Sequence, residues 1–136
     1  MKWNESVAPS GEREYIVVPP AIDSSHVSPG NQSVIVDRSI AIDCPVTGVP
    51  QPHVSWAKDA RPLAANQRQD IRVVSRGQRL EVNAADLSDA GNYTCVAKND
   101  AGFVERNFQL HVWGQSHLYS VAQKLRVVKN PDFHKV

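Results

Sequence analysis

The sequence predicts an all-β fold in which two sheets pack face to face as a sandwich. Between residues 19 and 113, short stretches of alternating apolar and polar residues recur, and turn-forming residues separate them. Two cysteines, Cys44 and Cys95, lie 51 residues apart within this region. The chain has 136 residues, of which 41% are hydrophobic, enough for one such core with extensions at its ends.

Each strand is predicted from apolar residues at alternate positions, which point to the same side of a strand. The predicted strands cover residues 39–44, 53–58, 70–74 and 79–83, then run through Tyr93, Cys95 and Ala97 and finally through Phe108, Leu110 and Val112. Residues 48–52 predict a turn, because two prolines are poorly suited to a central strand. Residues 75–77 and 99–102 predict two further turns, and no helix is expected in the core.

Four residues follow the pattern that is typical of an immunoglobulin sandwich. Trp56 comes about a dozen residues after Cys44, and Tyr93 comes two residues before Cys95. In that fold the two cysteines form a disulfide between the sheets, and the tryptophan packs against it. The tyrosine hydroxyl bonds to backbone a few residues upstream. We therefore expect a Cys44–Cys95 disulfide and a core that includes Trp56, Tyr93 and Leu80.

Two longer motifs resemble the I-set immunoglobulin domains of large tandem-repeat proteins. The first runs from Gly48 to Asp59 as G-x-P-x-P-x-V-x-W-x-K-D. The second runs from Leu87 to Gly102 and contains D-A-G-x-Y-x-C. The resemblance implies an I-set sandwich over residues 19–113, with Asp89 as a hydrogen-bonding residue at a corner. Ala60 stands where the family usually has glycine, so a different type of turn is expected there.

The first 18 residues are predicted to be the remnant of a preceding immunoglobulin domain. Residues 12–18 resemble residues 105–112 at an offset of 93, which is the length of one immunoglobulin repeat. On this interpretation they form the last strand of that domain, and Pro19 and Pro20 form a stiff linker. The alternative is chance similarity. The junction of residues 18–22, V-P-P-A-I, looks most like that of the hemicentins, extracellular-matrix proteins with long immunoglobulin arrays.

The last segment, residues 114–136, is predicted to be a basic tail that is disordered or forms a frayed helix. Leu118, Val121, Ala122 and Leu125 have helical spacing, but an isolated helix of this length is marginal in water. At the other end, the first residues lack the apolar run of a signal peptide. The expectation is therefore either a fragment of a secreted or cell-surface product or a cytoplasmic protein.

Composition and motifs argue against several classes of function. The net charge of +1 gives no clustered basic face for nucleic acid. No stretch is long and apolar enough to span a membrane. The five histidines are scattered and the two cysteines cannot form a four-cysteine zinc site, so no metal or cofactor is expected. The known nucleophile, phosphate-loop and zinc-protease motifs are missing. We expect a chain that is not an enzyme and has no small-molecule substrate.

Three asparagines lie in sequences that can accept an N-linked glycan. They are Asn4, Asn31 and Asn92, each followed two residues later by serine or threonine. Glycan transfer at such sites requires the secretory pathway. Asn92 is expected to point outward, because Tyr93 next to it points inward.

The outward residues of the strands around Cys95 form the candidate contact face. Ser55, Thr94, Val96 and Gln109 give this face a small and weakly charged centre. The leading hypothesis is an extracellular adhesion or matrix module in a tandem array, binding extracellular proteins, neighbouring immunoglobulin domains or copies of itself. Two alternatives are an intracellular scaffold domain of the cytoskeleton or sarcomere and the ectodomain of a cell-surface receptor.

Overall fold

The computed structural model of the chain describes residues 5–7, 11, 13–63 and 70–114, with backbone alone for residues 5–7. Within these residues there are twelve strands and one 3₁₀ turn. The strands are β1 Glu5–Val7, β2 Arg13–Tyr15, β3 Val18–Ile22, β4 Asn31–Ile35, β5 Ile40–Asp43, β6 Val46–Val49, β7 His53–Lys58, β8 Arg61–Pro62, β9 Ile71–Val74, β10 Arg79–Val82, β11 Gly91–Asn99 and β12 Gly102–Trp113. The 3₁₀ turn spans Leu87–Asp89.

Two sheets form the sandwich, which confirms the predicted all-β immunoglobulin fold. The larger sheet has five strands in the order β4-β12-β11-β7-β8, and the smaller one has three in the order β5-β10-β9. β11 lies at the centre of the larger sheet and pairs antiparallel with β12 and β7. Strand β4 pairs parallel with β12, from Asn31 beside Gln109 to Ile35 beside Trp113. The sequence reasoning did not identify β4, because nothing local to residues 31–35 specifies a partner that lies so far along the chain.

The turn predicted over residues 48–52 is wrong in its first half. Gly48 and Val49 belong to β6, which pairs antiparallel with β3 in a two-stranded sheet. Strand β6 ends before Pro50, and β7 begins after Pro52. Neither of these prolines therefore removes a hydrogen bond from a central ladder. Only glycine fits at position 48 without a steric clash, because a Cβ there would lie 2.9 Å from Pro52 Cγ and 3.2 Å from Val18 O.

Pro19 and Pro20 lie within β3 and not in a linker before it. The pairing of β3 with β6 shifts register between Val18 and Ala21, so the two prolines occupy a bulge. Pro20 is buried. A bulge on a two-stranded edge accommodates proline because the missing N–H donors are not needed by a neighbouring strand.

The core lies between the two sheets and is built largely from the alternating residues that the sequence identified. Val34, Val46 and Ala85 come from segments that it did not identify. Tyr93, Cys95 and Ala97 of β11 are all fully buried, as are Leu80 and Val82 of β10. The other members of this hydrophobic core are Val34, Ile42, Cys44, Val46, Val54, Trp56, Ala85, Phe108 and Leu110.

The turn between β7 and β8 corrects a second expectation. Asp59 and Ala60 both have positive φ, 50° and 66°, in a two-residue hairpin between Lys58 and Arg61. This is the backbone of a type I′ turn, for which both central residues are left-handed. Alanine therefore adopts the conformation in which glycine would be less strained. Asp59 holds the turn in place, since its N–H donates to Asn92 O at 2.8 Å and its Oδ1 accepts from Asn92 N at 2.9 Å.

The segments outside the sandwich are described only in part. Strands β1 and β2 pair antiparallel in a separate two-stranded sheet, with Glu5 beside Tyr15 and Val7 beside Arg13. Their assignment to a preceding domain stays a prediction. The predicted tail over residues 114–136 lies outside the described residues, apart from Gly114.

Candidate protein-contact face

The candidate face stands on a rigid, cross-linked core. Cys44 and Cys95 form a disulfide, with their Cα atoms 6.6 Å apart. The ring of Trp56 lies 5.8 Å from that of Phe108, and its Nε1 donates to Gly77 O at 2.7 Å. The sequence predicted this disulfide, and the described residues contain no free cysteine. The bridge fixes β11 against the opposite sheet, so the outward side of β11 is held in one position.

A network of hydrogen bonds fixes the corner before β11. The hydroxyl of Tyr93 donates to Asp89 O at 2.6 Å. Asp89 is 1% exposed, and its Oδ2 accepts from Asp86 N at 2.8 Å. Asp86 in turn caps the 3₁₀ turn by accepting from Ser88 N at 3.0 Å. These bonds give Asp89 the structural role that the sequence resemblance implied, because its carboxylate is occupied by backbone and is not directed at a ligand.

The predicted contact residues lie in successive cross-strand rows on the outer side of the five-stranded sheet. Val96 pairs with Ser55 of β7 on one side and with Glu105 of β12 on the other. Thr94 lies in the next row, where its Oγ1 donates to Asn107 Oδ1 at 2.6 Å. Ser55 and Gln109 are exposed, whereas Thr94 and Val96 are half-buried.

The four predicted residues do not form one compact cluster. Ser55, Val96 and Thr94 are neighbours, but Gln109 lies one row beyond Thr94, beside Asn92. Successive rows on one face are about 7 Å apart, because side chains alternate along a strand. Gln109 is therefore about 14 Å from the row of Val96, and a small partner could contact one without the other.

Sequence reasoning missed Phe103, the most exposed large apolar side chain among the described residues. Its exposure is 67%, and it pairs with Lys98, which in turn pairs with His53. This row adjoins that of Val96. Alternation along β12 could have found it, since Phe103 shares its side with the exposed Glu105, Asn107 and Gln109. Aromatic side chains are enriched at the centres of protein interfaces.

The outer side of the smaller sheet has a different character. Its charged side chains pair with one another across the strands, with Arg79 Nη1 at 3.4 Å from Asp43 Oδ1 and Arg72 Nη2 at 3.6 Å from Glu81 Oε1. Arg79 Nε also lies 3.5 Å from Glu81 Oε2. A partner would have to displace these pairs to bind there, which favours the five-stranded sheet as the contact surface.

The two candidate glycan sites that the structure describes share the outer side of the five-stranded sheet. Asn31 begins β4 and is exposed, and Asn92 near the start of β11 is half-buried. Both pair with Gln109, Asn92 from β11 and Asn31 from β4. Asn4 lies outside the described residues.

Neither a metal centre nor a membrane span is seen in the part of the chain that the structure describes. Its histidine, cysteine and acidic side chains form no group of three that could hold a metal ion. Within the same residues, no helix has the length and apolar character needed to cross a membrane.

Comparison with known proteins gives the family. Residues 25–112 match the immunoglobulin I-set domain. Human hemicentin-1 is 38% identical over 98 residues, which are 72% of this chain and 2% of hemicentin-1. The solved structure of Sidekick-1 immunoglobulin domains 1–4 superposes with a TM-score of 0.66 at 28% identity, covering 74% of this chain and 26% of that one. Titin domain M7 superposes with a TM-score of 0.60 at 30% identity, covering 71% and 96%. The match over most of the sandwich shows that the chain belongs to the immunoglobulin I-set family.

Proposed function

We propose that the chain is a non-enzymatic extracellular module that mediates cell adhesion or matrix assembly through protein contacts. The observation that carries this proposal is the outer side of the five-stranded sheet. Its centre, at Ser55, Thr94 and Val96, is small and uncharged, and an exposed aromatic side chain adjoins it at Phe103. The partners we propose are extracellular proteins, including neighbouring immunoglobulin domains and second copies of this chain.

A single domain with this surface binds weakly, and an array compensates. The face has two exposed aromatic residues of large size, Phe103 at one end and Trp113 at the other, among mostly small and polar neighbours. It therefore offers few of the anchors that dominate tight interfaces. The chain spans only 2% of hemicentin-1. In the long arrays that the resemblance to hemicentins implies, linked domains raise one another's effective concentration, so weak contacts add up to stable adhesion.

The cysteine pair supports an extracellular location. Disulfides form and persist in the secretory pathway and outside the cell, whereas cytosolic thiols are kept reduced. Cys44 and Cys95 are in bonding geometry, and Asn31 and Asn92 lie on the outer side of the sheet where glycans can be accommodated. Together these features fit a secreted or cell-surface protein.

Adhesion between densely coated beads tests the proposal directly. Beads that carry many copies of the chain should aggregate with one another or bind to a matrix deposited by cultured cells. A Val96→Glu substitution places a charge at the centre of the face, beside Glu105, and should lower this binding several-fold.

The matched control is Val74→Glu, the same change on the outer side of the smaller sheet. Val74 is half-buried like Val96. It pairs with Arg79, whose side chain lies on that outer side beside Asp43. Its substitution should leave adhesion unchanged and the chain folded. Equal adhesion by the two variants, or no adhesion by the unmodified chain to beads or matrix, would contradict the proposed function.

One observation favours a second candidate, an intracellular scaffold domain. The superposition on titin domain M7 covers almost all of that domain at 30% identity. In the cytosol the same sandwich would keep Cys44 and Cys95 as thiols and would receive no glycan. The redox state of the cysteine pair in the cells that make the protein therefore separates the two candidates.

A further inference from the structure

Two of the candidate glycan sites become neighbours through a strand pairing that the sequence does not reveal. Asn92 of β11 pairs with Gln109, and Gln109 pairs on its other side with Asn31 of β4. Neighbouring strands are about 4.8 Å apart, so the Cα atoms of Asn31 and Asn92 are about 10 Å apart on one row. We define this glycan row as Asn31, Gln109 and Asn92.

The accessory hydroxyl of each site faces the same way as its asparagine. Residues two apart on a strand share a side, so Ser33 lies on the side of Asn31 and Thr94 on the side of Asn92. Asn31 and Ser33 are exposed, and Asn92 and Thr94 are half-buried. An oligosaccharide on either asparagine therefore extends outward from the sheet, and the folded sandwich has room for both.

The opposite end of the same face is set apart from this row. Val96 lies four residues and Lys98 six residues along β11 from Asn92, which corresponds to about 14 Å and 20 Å. This free end, which we define as Ser55, Val96, Lys98, Phe103 and Glu105, includes the exposed aromatic side chain of Phe103. It also presents a positive and a negative side chain on neighbouring strands, Lys98 and Glu105.

We propose that Asn31 and Asn92 both carry N-linked oligosaccharides, which cover the glycan row and direct protein contact on β11 and β7 to the free end. This proposal rests on the extracellular function proposed above. It divides the predicted contact face, since Gln109 is covered while Ser55 and Val96 stay available. Asn31 also lies on β4, the outermost strand of its sheet, so its glycan shields an edge that could otherwise pair with another chain.

The modification is a group transfer from a lipid-linked pyrophosphate oligosaccharide in the secretory pathway. The side-chain amide nitrogen of asparagine forms a bond to the anomeric carbon of the sugar, and the bond from that carbon to the pyrophosphate oxygen breaks. The amide nitrogen loses one proton, which the departing lipid pyrophosphate takes up. Nothing is oxidised or reduced.

The first test is site mapping on the full chain, secreted by cultured animal cells behind an added signal sequence. Asn4→Gln is included so that the third site contributes no mass. Intact mass before and after enzymatic removal of N-glycans should show two oligosaccharides, and removal should leave aspartate at positions 31 and 92. Asn31→Gln and Asn92→Gln should each lose one glycan. Asn107→Gln, on the same face but outside any glycan motif, should lose none.

Secretion of the disulfide-bonded chain with no glycan, or with a glycan at one site alone, would overturn the proposal. That result would leave the proposed adhesion function standing, since secretion and the disulfide would remain. Peptide mapping of the chain with natural asparagines at positions 31 and 92 also shows which of the two sites carry glycan. It does not depend on the folding of any variant at those positions.

Bead adhesion with the glycosylated chain tests the division of the face. Phe103→Ser should lower bead adhesion several-fold, whereas Gln109→Glu should leave it unchanged because the glycans already cover that row. Equal losses from the two substitutions would overturn the division.

Discussion

The two sides of strand β11 have opposite characters. On the inner side Tyr93, Cys95 and Ala97 are fully buried, with Tyr93 bonded to Asp89 O and Cys95 bonded to Cys44. On the outer side Thr94 and Val96 are half-buried and Lys98 is exposed, and their neighbours are a mixture of polar, apolar and charged residues. The inner side therefore determines whether the chain folds, and the outer side determines what the folded chain can touch.

This difference explains why the family was easier to establish than the function. Burial admits few residue types, so the inner pattern is shared among immunoglobulin domains with unrelated roles. The residues of the outer side are free to vary. A binding partner constrains them only through the shape and charge of the surface, which differ from one domain to the next. Substitutions on the two sides should accordingly have very different effects.

The largest expected effect is loss of the disulfide. Cys95→Ala opens a loop of 51 residues, which the chain-entropy estimate values at about 4 kcal/mol of unfolding free energy. That is a large part of the stability of a small domain. Val96→Ala, the adjacent residue on the outer side, should cost about 1 kcal/mol or less. Denaturant unfolding under oxidising conditions measures both, and equal midpoints for the two variants would contradict the assignment of the inner side.

Removal of a hydroxyl should discriminate the two sides more finely. Tyr93→Phe removes the donor to Asp89 O inside the protein and should cost about 1–3 kcal/mol. Thr94→Val removes the donor to Asn107 on the outer side and should change stability by less than about 0.5 kcal/mol. The midpoints of denaturant unfolding compare them. A larger loss of unfolding free energy from Thr94→Val than from Tyr93→Phe would contradict the division between the inner and outer sides.

The turn between β7 and β8 offers a stabilising change at the rim of the outer face. Ala60→Gly relieves a left-handed alanine at φ 66° and should raise the unfolding free energy by about 1 kcal/mol. Asp59→Gly is the contrasting variant. It also relieves a positive φ, but it removes the carboxylate that accepts from Asn92 N, so it should lower stability. Thermal unfolding distinguishes the two, and destabilisation by Ala60→Gly would show that the turn is not strained.

The smallest effect is expected from acid titration of Asp23, whose carboxylate holds the turn after β3. The ring of His26 beside Asp23, and the Ser25 N–H, lower the pKa of the Asp23 carboxyl below its ordinary value of 3.8. The carboxylate therefore contributes stability above pH 3.8, and this contribution disappears as the pH falls through the lowered pKa. The difference in unfolding midpoint between the natural chain and Asp23→Asn should shrink on acidification over that range. If the difference in midpoint grows on acidification, the pKa of Asp23 is not lowered in the folded chain and this prediction is wrong.

The parts of the fold that sequence could predict are those governed by local alternation. Trp56, Tyr93 and the cysteine pair could be placed in the core because a buried strand face admits few other residues. The parallel pairing of β4 with β12 could not be predicted, since contacts far apart in the chain select it. For the candidate site, alternation placed Thr94 and Val96 on one side of β11. It could not show that Asn31 lies beside Gln109.

Local propensity also misled at two places. Pro19 and Pro20 were expected to form a stiff linker, but a bulge in β3 accommodates both at the edge of a sheet. Alanine was expected to avoid a left-handed turn, but the hydrogen bonds between Asp59 and Asn92 hold Ala60 in one. In both cases contacts with distant parts of the chain decided the local structure, and for Ala60 they overcame a left-handed strain of about 1–2 kcal/mol.

The redox state of Cys44 and Cys95 in the cells that make the protein tests the central claim most directly. Free thiols are trapped with an alkylating reagent at lysis, and the peptides that contain the two cysteines are then identified by mass with and without reduction. An extracellular adhesion module predicts a single disulfide-linked pair that takes up the reagent only after reduction. Two cysteines that are already alkylated before reduction would contradict the account and favour the intracellular scaffold.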